Sequence, residues 1–218
     1  MPKNKNKQPW PTKMAMEQVY EMNLWGGEGE FYSGEGSHKE EIVKPYLHAV
    51  IEFFKTLEEK PTVLDLGCGD FNIGSQLIEH TKYYTAVDIV EPLIKRNRRD
   101  FKAPNLSFEC LDIAKNDLPK ADCVIIRQVL QHLSNQEVKQ VIEKLKNYKY
   151  LVLTEHLPNG RFEPNKDIIS GQGIRLKKNS GLDLQLEPFN LKPKEVKELV
   201  YYDLGDKKGR IVTSLFVL

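Results

Sequence analysis

Pro61-Thr62-Val63-Leu64-Asp65-Leu66-Gly67-Cys68-Gly69-Asp70-Phe71-Asn72-Ile73-Gly74 decides the fold of this chain. Val63 and Leu64 begin an apolar run that closes on Asp65, Leu66 and Gly67, the pattern of a buried strand emptying into a glycine turn. Gly67 and Gly69 lack a Cβ, so the loop turns sharply and lets backbone N–H groups approach a ligand. A helix over Ile73–His80 is expected to complete a strand, loop and helix cradle for a nucleotide. Counting Gly67 and Gly69 as the first two glycines of GxGxxG puts Asn72 where the third belongs, and Gly74 comes too late. A carboxylate at Asp65 would also repel a pyrophosphate seated on the helix N-terminus. A nicotinamide-dependent oxidoreductase is therefore disfavoured.

Asp65 favours a cation instead. S-adenosylmethionine has no phosphates and carries a sulfonium and an ammonium, each attracted by a carboxylate directly or through water. In an open α/β sheet, ligands bind outside the carboxyl ends of the strands, so each strand's last residue is the place to look. A second strand over Tyr83–Asp88 ends in Asp88, where a carboxylate can accept both ribose hydroxyls. A third, Leu106–Cys110, runs into Leu111-Asp112-Ile113, where an acid can accept from the adenine amino group while Ile113 packs on the ring. Each acid alone reads equally well as the cap of the next helix or turn. Three at successive strand ends point to a cofactor.

The D-x-G-x-G pattern, the two later acids and the segment Asp122-Cys123-Val124-Ile125-Ile126-Arg127-Gln128-Val129-Leu130-Gln131-His132-Leu133 together resemble motifs I and II, the adenine-binding acid and motif IV of class I (Rossmann-like) S-adenosylmethionine-dependent methyltransferases. The resemblance covers about residues 60 to 156. It implies an α/β, doubly wound, seven-stranded, mostly parallel sheet with an antiparallel C-terminal hairpin, and S-adenosylmethionine as cofactor. It further implies cofactor contacts from Asp65, Gly67, Cys68, Gly69, Asp88, Ile89, Asp112, Ile113 and Arg127.

The rest of the chain fits that alternation of strand and helix. Strands are expected over Cys123–Ile126 and Tyr150–Thr154, with helices over Glu91–Asp100 and Ser134–Tyr148, the latter opened by the capping box Ser134-Asn135-Gln136-Glu137. Leu199–Leu204 and Ile211–Leu218 flank Gly205-Asp206-Lys207-Lys208-Gly209, a hairpin connection. Ahead of the sheet stand an amphipathic helix over Thr12–Leu24 and a glycine-rich loop from Trp25 to Ser37. A helix follows, capped by Ser37 with Glu40 and running towards Glu58, with Pro45 as a point of kinking or restarting. A single domain over 12–218 is expected, with a lid at 12–58 and a substrate cap inserted at 156–190. Ile168, Ile174, Leu182, Leu184 and Phe189 are the apolar anchors that favour an ordered cap over a loose loop.

Methyl transfer is an in-line displacement, so positioning dominates, and a base is needed only for a poorly ionised acceptor. His132 and Glu155 are the catalytic candidates, with His156 beside them, because they follow strands four and five. His132 has a second reading, as a polar pin buttressing the loop before the Ser134 helix. Trp25, Gln128, His156 and Arg175 are the candidate substrate contacts.

Bulk composition narrows the partners. The 218 residues carry 32 basic and 31 acidic side chains, a net charge of +1 that gives no footprint for a long polyanion. Lys95-Arg96-Asn97-Arg98-Arg99 is the one basic run in favour of nucleic acid, and a solvated helix face explains it. Cys68, Cys110 and Cys123 form no CxxC pair and read as reduced thiols of a cytoplasmic protein. The scattered histidines give no metal site. No apolar run reaches the ~18 to 20 residues of a membrane span. The N-terminal MPKNKNKQPWP has no apolar stretch behind it and reads as a disordered basic tail over 1–11, not a signal peptide. The expected activity is methyl transfer to oxygen or nitrogen of a small molecule. RNA or protein methylation is the alternative among enzymes, and a non-catalytic cofactor-binding regulatory module the alternative outside them.

Overall fold

Val63, Leu64 and Leu66 are essentially inaccessible, as a strand covered on both faces requires, and they form the middle of β1 (Thr62–Leu66). In the computed structural model, which describes residues 9–28, 30–205 and 208–218, β1 pairs in parallel with β2 (Tyr83–Asp88) on one side and β4 (Cys123–Arg127) on the other. β3 (Leu106–Cys110) lies outside β2, and β5 (Tyr150–Leu157) outside β4. β6 (Glu195–Asp203) and β7 (Arg210–Val217) form an antiparallel hairpin whose β7 inserts next to β5. The sheet order is β3-β2-β1-β4-β5-β7-β6, the expected seven-stranded arrangement, and the order reverses between β1 and β4. A crevice at the carboxyl ends of those two strands follows from that reversal.

Helices cover both faces. On one, Val138, Val141, Ile142 and Leu145 of α4 (Asn135–Leu145; helices are numbered in chain order) pack on Leu64, Leu66, Val124 and Leu151, joined by Leu182, Leu184 and Phe189 from the segment between β5 and β6. On the other, α2 (Glu40–Lys55) lays Tyr46, Leu47, Val50 and Phe54 against Val63, Cys123, Ile125 and Val152. α1 (Thr12–Glu21) lies ahead of the sheet, and α3 (Glu91–Asp100) follows β2 within its expected bounds. The capping box forms as read: Ser134 Oγ meets the Glu137 N–H, and the Glu137 carboxylate accepts from the Ser134 N–H. Of the basic tail read at 1–11, residues 1–8 lie outside the described residues, as do Asp206 and Lys207 of the hairpin turn.

Four local expectations are corrected. The helix expected over Ile73–His80 is replaced by two 3₁₀ turns, Gly74–Gln76 and Ile78–His80. Phe71 takes a left-handed backbone (φ 64°) to bury its ring against Tyr84, Phe101 and Phe108. The Ser75 hydroxyl and Gln76 amide then donate to the Asn72 carbonyl and compete with helical pairing. The segment that follows the glycine loop therefore offers two short turns in place of a long helix N-terminus.

Ser37 does not cap α2. Lys39 holds that position without a side-chain bond, while Ser37 closes a 3₁₀ turn and its carbonyl accepts from Asn72 Nδ2 at 2.6 Å. Pro45 falls in the second turn of α2, which continues through it. Finally, β5 runs three residues past the expected Thr154, because β7 pairs with it through Leu157. Glu155 and His156 are therefore strand residues, opposite Val212 and Ile211, and do not belong to a loop beyond the strand.

Candidate cofactor and acceptor site

A cavity of about 330 Å³ opens over the carboxyl ends of β1, β2 and β4. Its floor is the glycine loop. Gly67 and Gly69 have φ of 83° and 56°, and a Cβ on either would collide, with Val129 and with the Ser33 hydroxyl respectively. The loop is tied down from below. The Gly67 and Cys68 N–H groups donate to the Val87 carbonyl at 2.8 and 2.9 Å, and the fully buried Asn97 side chain donates to the Gly69 carbonyl at 2.7 Å. From above, Asp70 accepts from the Ser33 N–H at 2.9 Å and pairs with His38 Nε2 at 2.6 Å, which fixes the N-terminal cover to the loop.

Three acids stand along the cavity at successive strand ends. Asp65 is 6% exposed and accepts from the Tyr84 hydroxyl at 2.9 Å. Burial raises its pKa to about 7, with the Tyr84 bond opposing. Asp88 accepts the Gly69 N–H at 3.1 Å and the Val90 N–H at 3.0 Å; burial pushes its pKa up and those bonds pull it back. Asp112 accepts the Ala114 N–H and the Lys115 ammonium at 3.0 and 2.8 Å. Its loop is drawn onto α4 by Lys144, whose ammonium meets the Ile113, Ala114 and Asn116 carbonyls. Each acid is thus both a local cap and a cavity wall, and a carboxylate so bonded keeps lone pairs for further donors.

Between Asp65 and the N-terminal cover lies Arg127. Its guanidinium stacks on the Tyr46 ring at 4.8 Å and donates to the Gly36 carbonyl at 2.6 Å. Its Nε and the Tyr46 hydroxyl, both buried on the cavity wall, have no protein partner. Gln128 follows with φ 57°, a conformation that costs a non-glycine residue about 1 kcal/mol and is concentrated at functional sites.

One part of the cavity lining is aromatic. Tyr20 and Trp25 meet edge to face at 5.2 Å, and Trp25 lies 5.4 Å from the His132 ring. His132 Nδ1 donates to the Gly171 carbonyl at 3.1 Å while Nε2 accepts from the Gln131 amide at 3.3 Å, so both ring nitrogens are engaged. Burial lowers its pKa to about 4. Of its two readings, the geometry matches the polar pin.

Three sequence candidates lie off the cavity. Glu155 is 3% exposed within β5, and both of its carboxylate oxygens are without a partner. His156 points its Nε2 at the Lys208 carbonyl, 2.5 Å away. Arg175, 1% exposed, spends its guanidinium on the Leu130, Gln131, Leu133 and Lys166 carbonyls and on Asn135, where it pins the β5–β6 segment to the start of α4. Conversely, Tyr20, Tyr46, Ser33 and Glu137 line the cavity without having been singled out. The tyrosines sit at helix positions that a periodicity argument assigns to the core, and Glu137 was visible only as a cap.

Residues 63–148 match the family model described as a methyltransferase domain. An uncharacterised methyltransferase of Mycobacterium tuberculosis is 35% identical over 75 residues, 34% of this chain and 38% of the relative. A ubiquinone biosynthesis O-methyltransferase of Coxiella burnetii is 29% identical over 100 residues, 44% of this chain and 42% of the relative. The chain thus covers under half the length of these curated relatives. Among solved structures, the N-methyltransferase NodS of Bradyrhizobium japonicum WM9, in complex with S-adenosyl-L-homocysteine, superimposes with a TM-score of 0.64 at 14% identity, over 93% of this chain and 98% of that one.

Proposed function

Starting from a chain that carries a methyltransferase domain of the class I, Rossmann-like fold, we propose that it transfers a methyl group from S-adenosylmethionine to nitrogen or oxygen of a small molecule. The observation that carries this reading is one cavity holding Asp65, Asp88 and Asp112 at three strand ends around a glycine loop that tolerates no Cβ. The residues fit such a cofactor: a cationic end has Asp65 beside it, while the unpartnered Arg127 Nε and Tyr46 hydroxyl offer donors to an amino-acid carboxylate. Asp88 and Asp112 have lone pairs for ribose hydroxyls and an adenine amino group. When bound, the sulfonium supplies an electrophilic methyl group.

What the chain contributes is positioning and exclusion of water. Gly67 and Gly69 let the loop approach closely, and Asn97 and Asp70 hold it still. Residues of the N-terminal segment, from Thr12 to Ser37, and Gln172 and Ile174 of the β5–β6 segment line the cavity, which supports a small acceptor over a macromolecule. The basic run on α3 is taken up by its own neighbours, Lys95 by Glu91, and Arg96 and Arg99 by Asp100, which leaves little for a nucleic acid backbone. Three free thiols fit a reducing, cytoplasmic setting. Calorimetry is the test: S-adenosylhomocysteine should bind and NADH should not. The reverse result would sink the assignment.

A further inference from the structure

The cavity's charge and its hydrogen-bond saturation decide between acceptor chemistries, given the methyltransferase reading on which this step rests. Among the described residues that line it, the charged side chains are four carboxyl groups, Asp65, Asp88, Asp112 and Glu137, against one guanidinium, Arg127, and there is no lysine. An acceptor bearing a phosphate or carboxylate would enter a region of its own sign. Arg127 offers little to it, because on the proposed reading its unpartnered Nε serves the cofactor's carboxylate while the rest of the guanidinium is stacked on Tyr46 and bonded to Gly36.

An alcohol or phenol meets a different obstacle. Methylation of a hydroxyl oxygen releases a proton, and a base must take it. The titratable groups beside Trp25 are already engaged: His132 has both nitrogens bonded, and Glu137 accepts from the hydroxyls of Thr12, Ser134 and Ser170. On the proposed reading Asp65, Asp88 and Asp112 are taken by the cofactor. An amine brings its own lone pair. That pair forms the new N–C bond, the S–C bond breaks with its electrons left on sulfur, and the positive charge passes to nitrogen. The surplus proton is lost from the product ammonium to water after release. The number of charges in the cavity is unchanged, so a water-poor site pays no added desolvation. Tyr20 and Trp25, at right angles on the same wall, are the surfaces against which a methylated ammonium is held.

We infer that the acceptor site takes an uncharged amine and holds its methylated product as a cation in the Tyr20–Trp25 corner. The test uses the intact chain saturated with S-adenosylhomocysteine and titrated by calorimetry with benzyltrimethylammonium, and separately with benzoate and phenyl phosphate. The expected result is binding of the cation at least tenfold tighter than either anion. Trp25→Leu should weaken cation binding about tenfold while Trp25→Phe retains most of it, with unchanged S-adenosylhomocysteine binding as the check that both variants are folded. Equal or tighter binding of the anions, or no binding of the cation to the loaded chain, overturns the inference and leaves the methyltransferase reading standing. Failure of S-adenosylhomocysteine itself to bind overturns that reading instead.

Discussion

Asp65 is the next-to-last residue of β1, on the cavity wall, and burial raises its carboxyl to a pKa of about 7. A ligand with an ammonium binds the ionised form better, so protonation competes with binding below that value. S-adenosylhomocysteine affinity should therefore fall roughly tenfold per pH unit below about 7 and level off above it. Calorimetry at pH 6 and pH 8 checks this, and Asp65→Asn should bind weakly with no such slope; equal affinities at both pH values in the parent chain would remove the role. Asp88→Ala should weaken the same ligand by about 1 to 3 kcal/mol, the cost of unpairing buried hydroxyls, and unchanged affinity would leave Asp88 as a cap alone. Glu155 is the opposite case, a buried acid away from the site, with its pKa raised from 4.5 to about 8 by burial. Between those values the unfolded chain ionises while the folded one does not, so stability drains as pH rises and the loss is complete above about 8. At pH 7 that penalty is about 3 kcal/mol. Glu155→Gln should then match the parent in melting temperature at pH 4.5 and exceed it clearly at pH 8; a gap of equal size at both would exclude the mechanism.

The covers are joined to each other through Glu137, third residue of α4. Its carboxylate receives the Thr12 hydroxyl from α1, the Ser134 hydroxyl from the cap and the Ser170 hydroxyl from the β5–β6 segment. Gln172 adds a second tie, donating to the Leu24 carbonyl at 2.8 Å. Glu137→Ala should raise amide exchange in 12–21 and 165–172 together, whereas Ser134→Ala, which costs about 1 kcal/mol of capping, should affect chiefly the first turn of α4. Exchange confined to α4 in both variants would dissolve the coupling. This joint was illegible in the sequence, where Ser134 to Glu137 is a local motif and its partners lie in distant segments. The same contrast runs through the fold. Strands β2 and β3 and helix α3 could be read to the residue because apolar runs and turn signals bound them locally. β5 could not, since its last three residues are strand only through β7. The helix expected after Gly69 failed because Phe71 and Asn72 obey tertiary packing over propensity. That Asp65, Asp88 and Asp112 line one cavity was legible because this topology gathers strand ends there, whereas Arg175 lies off it because its four carbonyl partners and Asn135 become neighbours only on folding.

At the scale of the whole molecule, ligand binding and stability are linked through the same cavity. The glycine loop, the two covers and the strand ends are all built from segments that contact each other only in the folded chain, so a ligand of that cavity binds the native state alone. S-adenosylhomocysteine at a hundred times its dissociation constant should then stabilise the chain by about 2.7 kcal/mol. For a domain of this size that corresponds to a rise in melting temperature of roughly 5 to 10 °C. NADH at the same concentration should give no shift, since neither the glycine spacing nor a long helix offers its pyrophosphate a seat. Because the ligand's contacts are buried and the basic face of α3 is already paired, raising salt from 50 to 200 mM should leave the shift nearly intact, unlike the steep loss expected of phosphate-backbone binding. Differential scanning fluorimetry across those conditions reads all three arms. A shift with NADH, or one abolished by salt, would place the ligand on the surface and break the link between the three strand-end acids and the cofactor.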